Sequence, residues 1–305
     1  MLLTVIIPCY RETKMQLTRC LKSLTFLTGI CQWEAWIVDD GSPENQIEKW
    51  VRDMNDNHLH FIRQHNQGQS VARNTAIEQA RGEYIALLDA DDEWIPAEYA
   101  RIIEILQKER PDMLGLRYQA TRVPYYDGSS MDFIQKEDII PAACGYIYKR
   151  DKLGDLRYTP GIYHEDEEFN TLLHLKMNRL IMTPIVAYRY HRNPDSTTQS
   201  QDEKHLEKRF SDFHDVICRI QKMSVTDSRL ERRLHVMAMC YVVDLMRSAP
   251  SSAFLRRHLL TLKKSGLYPL PAFQGIRRYT WIRPLTSQPW LCCLHRKFLR
   301  LFGVR

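Results

Sequence analysis

The sequence predicts an α/β domain built on a doubly wound sheet, followed by a helical extension. Three observations predict it. Short apolar runs rich in branched residues alternate at least three times with amphipathic helical stretches, starting at the first residue. Each run ends in polar residues, at the strand ends where such sheets bind ligands. From about residue 201 the periodicity is helical, so residues 1–200 are expected to form the first domain and 201–305 the extension.

Residues 2–7 (LLTVII) read as a strand buried on both faces, as in a parallel sheet. Leu17, Cys20, Leu21, Leu24 and Leu27 put a helix near 15–27. AWIVDD is the second strand, and Gly41 and Ser42 turn the chain. Ile47, Trp50, Val51 and Met54 mark a helix, and HLHFIRQ is the third strand. SVARNTAIEQAR is a helix that Gly82 is expected to close. YIALLD is the fourth strand, ending at Asp89. Beyond residue 95, Tyr99, Ile102, Ile103 and Leu106 mark a helix, and 113–150 reads as strands and loops. Another helix is expected from Glu165, and IMTPIVAYRYH is a late strand. Leu206, Phe210, Phe213, Ile217 and Ile220 form one helical stripe, and Met237, Tyr241 and Leu245 a second.

With 305 residues and a hydrophobic fraction of 44%, the chain is expected to fold rather than remain disordered. Its eight cysteines include no CxxC pair, which argues against a zinc knuckle or a thioredoxin-like site. Their apolar neighbours suit reduced thiols in a reducing compartment. The start, MLLTVIIP, is too short for a signal peptide, and no apolar stretch is long enough to cross a bilayer. A cytoplasmic location is expected, either free or peripheral on the inner membrane face. Charge is uneven. No Asp or Glu follows Asp244, whereas twelve Lys and Arg do, so the tail carries +12 against +6 for the whole chain. Such asymmetry points the tail at an anionic surface.

Three segments carry candidate chemistry. Asp89-Ala90-Asp91-Asp92 follows an apolar strand, and alternate carboxylates there suit a divalent cation, Mg²⁺ or Mn²⁺, that balances a diphosphate. An acidic triplet in a loop is also a common solvated turn. Asp40, in Val38-Asp39-Asp40-Gly41-Ser42, could accept a hydrogen bond from the imide N–H of a base. The same residues make an ordinary Asp-Gly turn with a serine cap. Asn66 to Asn74 is a glycine-containing loop entering a helix, which offers backbone N–H groups to an anion. Arg73 could add charge near a phosphate or a carboxylate. A capped helix with a surface arginine reads equally well.

Together with Val5-Ile6-Ile7-Pro8-Cys9-Tyr10, these segments resemble glycosyltransferase family 2, in order and spacing, over roughly residues 3–95. The resemblance implies a GT-A-type mixed sheet with flanking helices. It implies a nucleotide-sugar site in which Pro8, Tyr10 and Asp40 touch the base, Asp89 approaches the ribose, and Asp91 holds the metal. Asn66, Arg73 and Ala90 belong to the same site, and Asp39 is then structural. Gly161-Ile162-Tyr163-His164-Glu165-Asp166 resembles the family's acidic segment at a helix start, which makes Asp166 the general base, with Glu165 competing. Four acidic residues also simply suit a helix amino terminus. Tyr188-Arg189-Tyr190-His191-Arg192 resembles a late segment that closes over the diphosphate. There His191 could ligate the metal or Arg192 pair with phosphate, and a histidine in a tyrosine-rich strand is also commonly structural.

The expected reaction is inverting transfer of a sugar from a nucleotide-diphosphate donor, taken as UDP, to a hydroxyl of a glycan or lipid-linked glycan. No nucleic-acid partner is expected. Two rival readings fit the sequence less well. A nucleotidyltransferase needs a glycine-rich phosphate loop after the first strand, and PCYRETK has no glycine. A nucleic-acid-binding module using the basic tail leaves the carboxylates unexplained, since they repel phosphate unless a metal intervenes. Trp290, Leu291, Leu294, Phe298, Leu301 and Phe302 lie at helical spacing beside Arg296, Lys297 and Arg300, a composition that fits an interfacial helix or a helix packed on its own domain.

Overall fold

The computed structural model describes residues 1–44, 46–120, 142–191, 202–224, 227 and 229–270. They fall into two compact units, one holding Met1–Gly161 and Glu165–Pro194, the other Ile162–His164 and Asp195–Arg305.

In the first unit the strands are β1 (Leu3–Cys9), β2 (Trp33–Asp39), β3 (Leu59–Arg63), β4 (Tyr84–Leu87), β5 (Glu93–Trp94), β6 (Met113–Ala120), β7 (Tyr146–Lys149) and β8 (Leu180–Tyr190). The helices are α1 (Lys14–Lys22), α2 (Ile47–Asp53), α3 (Gln69–Gln79), α4 (Pro96–Glu109) and α5 (Glu165–Leu175). The strands form one sheet in the order β3-β2-β1-β4-β7-β6-β8-β5. The first four are parallel, β7 runs antiparallel to both β4 and β6, and β6 pairs parallel with β8. The fold is therefore mixed α/β, with a doubly wound half carrying the early motifs.

Strands β1, β2 and β4 are buried on both faces because each feeds two cores. Val5, Ile7, Ala35, Ile37 and Ala86 pack into one, with the apolar faces of α1 and α4. Ile6, Val38, Ile85 and Leu87 pack into the other, with Ala72, Ala76 and Ile77 of α3 and Phe169 of α5. This two-sided burial is why LTVIIPC and WEAWIVD read as continuous apolar runs rather than alternating ones.

The second unit contains α6 (Glu203–Ser224), α7 (Arg229–Ser248) and α8 (Ser252–Lys264). The expected stripe is buried: Leu206, Phe210, Phe213, Ile217 and Ile220 of α6 are all 2% exposed or less. Phe210 meets Tyr241 and Phe254 edge-on, and Arg209 pairs with Asp244 at 2.6 Å. All six described cysteines are free thiols, and no described helix is long and apolar enough to cross a membrane.

Two local expectations are corrected, and one strand had no forecast. The first helix ends at Lys22 and gives way to a 3-10 turn, Thr25–Leu27. The hydroxyls of Ser23 and Thr25 donate to the carbonyls of Cys20 and Lys22, competing with the helical ladder. Gly82 does not close α3, which ends at Gln79 with Ala80 extended. It is a close-approach glycine instead, since a Cβ there would lie 2.5 Å from the amide nitrogen of Thr4. Strand β5 had no signature because two residues carry no periodicity.

Candidate active site

The carboxyl ends of β1, β2 and β4 open on one edge. Cys9 and Asp39 are register partners, the amide of Asp40 donates to the Cys9 carbonyl (2.8 Å), and Leu88 donates to Ile6 (3.0 Å). Pro8 is buried in β1, and Tyr10, just beyond it, is 40% exposed with the Arg11 guanidinium over its ring.

Asp39 and Asp40 divide their work. Asp39 is fully buried, accepting from the Ser42 amide (2.9 Å) and from Arg63 (2.9 Å). Asp40 accepts from the Gln67 and Gly68 amides (2.9 and 2.8 Å) and from Gln64 Nε2 (2.7 Å). An ionised carboxylate has about four acceptor sites, so three bonds leave Asp40 room for one more. These bonds tie the loop carrying Asn66, which is exposed, to the end of β2. Gly41 makes the approach possible: its φ is +76°, and a Cβ would lie 2.7 Å from the Asn66 amide nitrogen.

The Asp89–Asp92 loop is fixed from both sides. Arg19 of α1 donates to the Asp91 carbonyl, and the Asp89 amide donates to the Tyr188 hydroxyl (3.2 Å). Asp92, fully buried, accepts from Tyr188 (2.6 Å) and from the His191 amide (2.6 Å). Burial, then the charges of Asp89 and Asp91, push its carboxyl up to about 8 against those two bonds. Asp92 thus anchors β8 to the loop, while Asp89 and Asp91 are only half-buried.

Arg73 connects this edge to α5. Its guanidinium is buried, contacting Glu165 at 2.9 Å and Asp89 at 3.4 Å and lying over the Tyr158 ring. Burial alone would favour losing its proton, but Asp89 and Glu165 override that and raise its pKa. Asn74, one residue on, clamps Tyr158 through two backbone bonds (2.8 and 2.9 Å), and Tyr158 stacks on Phe169 of α5. The amino end of α5 is held against α3 in this way. Asp166, beside Glu165, accepts from the Glu167 amide (2.8 Å). Burial, followed by the charges of Glu165 and Glu167, raises its carboxyl well above the usual range.

Glu12 was not foreseen. It lies two residues beyond Tyr10, and its Oε2 is buried with no hydrogen-bond partner among the described residues. Burial leads, and the charges of Asp91 and Asp89 add, in pushing its carboxyl up to about 7. Its position in the loop after β1 was the available signal. An orphaned carboxylate oxygen facing two further carboxylates is a donor set that fits a hard divalent cation. Among the described residues no three His, Cys, Asp or Glu side chains already converge on one point. The His191 ring turns to Glu93 (Nε2 to Oε1, 3.0 Å), which Arg189 also holds at 2.7 Å. Arg192 lies outside the described residues.

A family model described as Glycosyl transferase family 2 matches residues 4–166, more than half of the chain. The chain belongs to glycosyltransferase family 2. It is 27% identical over 231 residues to the uncharacterized glycosyltransferase YibD of Escherichia coli (strain K12), a match covering 67% of this chain and 66% of YibD. Over 97 residues it is 35% identical to the putative colanic acid biosynthesis glycosyl transferase WcaA of the same strain, 31% of this chain and 34% of WcaA. Among solved structures, residues 1–349 of S. aureus TarS in complex with UDP-GlcNAc superpose with a TM-score of 0.71 at 17% identity, covering 97% of this chain and 89% of that one. The mannosyltransferase PcManGT from Pyrobaculum calidifontis, in complex with GDP-Man and Mn²⁺, gives 0.55 at 17% identity, over 96% and 86% of the two chains. These likenesses show the GT-A fold for this family 2 glycosyltransferase.

Proposed function

We propose that this family 2 glycosyltransferase is inverting and metal-dependent, and moves a sugar from a UDP-sugar to an acceptor hydroxyl on a lipid-linked glycan of a surface polysaccharide. The observation that carries the reading is the Arg73 guanidinium, which draws Asp89 and Glu165 together across 76 positions of sequence. It sets a donor-side carboxylate of the kind that faces a nucleotide beside a helix start bearing a second carboxylate, Asp166, with a raised pKa. The UDP donor is supported by the TarS complex with UDP-GlcNAc, the metal by the Mn²⁺ of PcManGT, and the polysaccharide setting by the name of WcaA.

In this reading Pro8, Tyr10 and the open acceptor site of Asp40 receive the base, and Asn66 lies in the loop that Asp40 ties down. Asp89 faces the ribose beside Ala90, and Arg73 holds Asp89 in place. Asp91 would hold Mg²⁺ or Mn²⁺ with Glu12 close by, and the cation supplies charge balance to the leaving diphosphate. Asp166 takes the proton from the acceptor hydroxyl as its oxygen bonds to the anomeric carbon. The bond from that carbon to the diphosphate breaks on the opposite face, which inverts the centre. His191, engaged with Glu93, would join the metal only by leaving that contact. The basic tail is proposed to hold the enzyme peripherally at an anionic cytoplasmic membrane face. Trp290, Arg296 and the rest of that segment lie outside the described residues.

The test is incubation with a panel of nucleotide sugars plus Mn²⁺, reading released nucleoside diphosphate. A UDP-sugar is expected to turn over, with loss in EDTA and in Asp91→Asn. Turnover undiminished by both changes removes the metal assignment.

A further inference from the structure

Helix α1 has two polarised faces. Leu17, Cys20 and Leu21 are buried, and Lys14, Thr18 and Lys22 follow one another at four-residue spacing on another side. That second side lines an open groove of about 760 Å³, whose far wall is the junction of β5 and α4 with Arg189 of β8. The groove belongs to the first unit throughout.

Its lining combines two chemistries. Lys14, Arg19, Lys22 and Arg189 bring four positive charges against the single carboxylate of Glu93. Glu93 already answers Arg189, and the other three cations have no carboxylate partner among the described residues. Arg19 spends one nitrogen on the Asp91 carbonyl, and its Nε is buried without a partner among the described residues. Lys14 and Lys22 are exposed and form no ion pair among the described residues. The same groove is also lined by Met15, Ile95 and Pro96. Met15 is 74% exposed, the most open of the large hydrophobic side chains described.

Cations alone would suit any anion, and an apolar strip alone would suit any amphiphile. Their presence together in the lining of one groove selects a ligand that has both parts. We propose that this groove binds a phosphate ester carried on an apolar chain, its phosphate against Lys14, Lys22 and Arg19 and its chain along Met15, Ile95 and Pro96. A lipid-linked acceptor of the kind proposed above is one such ester, but the inference rests on the groove's own lining, and its test reads binding without glycosyl transfer. Because Arg19 also holds the Asp91 backbone, the ligand would lie directly behind the loop that faces the donor.

Calorimetric titration of the full-length chain with monomeric dodecyl phosphate, inorganic phosphate and dodecyl maltoside tests this. Dodecyl phosphate is expected to bind more tightly than either of the others. The double variant Lys14→Glu, Lys22→Glu should weaken it roughly tenfold or more, the order expected for two lost phosphate contacts. Met15→Ser should weaken dodecyl phosphate without altering inorganic phosphate. All three positions are exposed, so the fold should survive, and unchanged melting confirms it. Inorganic phosphate binding as tightly as dodecyl phosphate makes this a simple anion site and overturns the proposal. Equal binding of dodecyl maltoside, no binding of dodecyl phosphate, or indifference to both substitutions overturns it too.

Discussion

Glu165 gives its carboxylate to Arg73, whereas Asp166 accepts a bond from the Glu167 backbone and forms no ion pair among the described residues. A base must be free to take a proton, and a carboxyl held above its usual range takes it more readily. Asp166 has both properties. Asp166→Asn is therefore expected to cut glycosyl transfer by about a hundredfold or more while leaving donor binding nearly intact. Glu165→Gln should do the reverse, weakening donor binding through the guanidinium shared with Asp89. The pH profile separates them further. The base must be ionised, so wild-type transfer should fall as pH drops through the raised pKa of Asp166 and level off above it. That acid limb should be missing from the residual activity of Asp166→Asn. Transfer lost in Glu165→Gln and kept in Asp166→Asn would assign the base to the other carboxylate.

At the scale of elements, the turn after β2 decides where the loop of residues 64–68 sits. Asp39 and Asp40 hold Ser42, Arg63, Gln67 and Gly68 around it, and Gly41 is the point of closest approach. Gly41→Ala would place an L side chain at φ +76° and press its Cβ on the Asn66 amide. The expected cost is about 2 kcal/mol or more, from the left-handed conformation and the overlap together, read as a lower urea midpoint. Nucleotide affinity should fall with it, and an unchanged affinity would show that this loop does not meet the donor. The doubly wound half was legible because each strand is buried on two sides and each turn carries its own polar signature. In the other half most strands were legible, but their order in the sheet was not. Strands β6, β7 and β8 come together across long stretches of sequence, and β5 has only two residues. The site was legible as separate motifs, but the bridge from Asp89 through Arg73 to Glu165 was not. Sequence spacing cannot show which of several carboxylates a guanidinium will reach. The anchoring role of Asp92 and the place of Glu12 escaped for the same reason, one anchored by Tyr188 and the other facing Asp91.

At the scale of the whole molecule, the segment leading into α5 is part of the helical unit. Tyr163 donates its amide to Asp212 (2.8 Å), and His164, at φ +63°, stacks on Phe213 with ring centroids 3.9 Å apart. Burial first, and the charge of Arg209 next, lower the His164 pKa to about 3, with Asp212 acting in the opposite sense. Unfolding returns it to about 6.5. Between those values the unfolded chain binds the extra proton, so this contribution to stability is complete above about 6.5 and is lost as pH falls toward 3. Urea midpoints of wild type and His164→Asn should converge over that window, and parallel curves would remove His164 from the acid response. Charge distribution sets the other whole-molecule property. Twelve Lys and Arg with no Asp or Glu follow Asp244, and four of them, Arg296, Lys297, Arg300 and Arg305, fall in residues 285–305 with Trp290, Phe298 and Phe302. Each basic residue near an anionic leaflet contributes roughly 1 kcal/mol, so these four would supply about 4 kcal/mol at low salt if they met one. Aromatic side chains, where inserted, would add apolar burial. Removing 285–305 is expected to release the enzyme from phosphatidylglycerol vesicles in a sedimentation assay and to preserve both donor hydrolysis and melting temperature. An enzyme bound through this tail would meet a lipid-linked acceptor confined to the same surface, so transfer to that acceptor should fall in the truncated form while transfer to a soluble analogue does not. Intact protein that ignores such vesicles at low salt, or truncated protein that unfolds, would make the tail part of the fold instead.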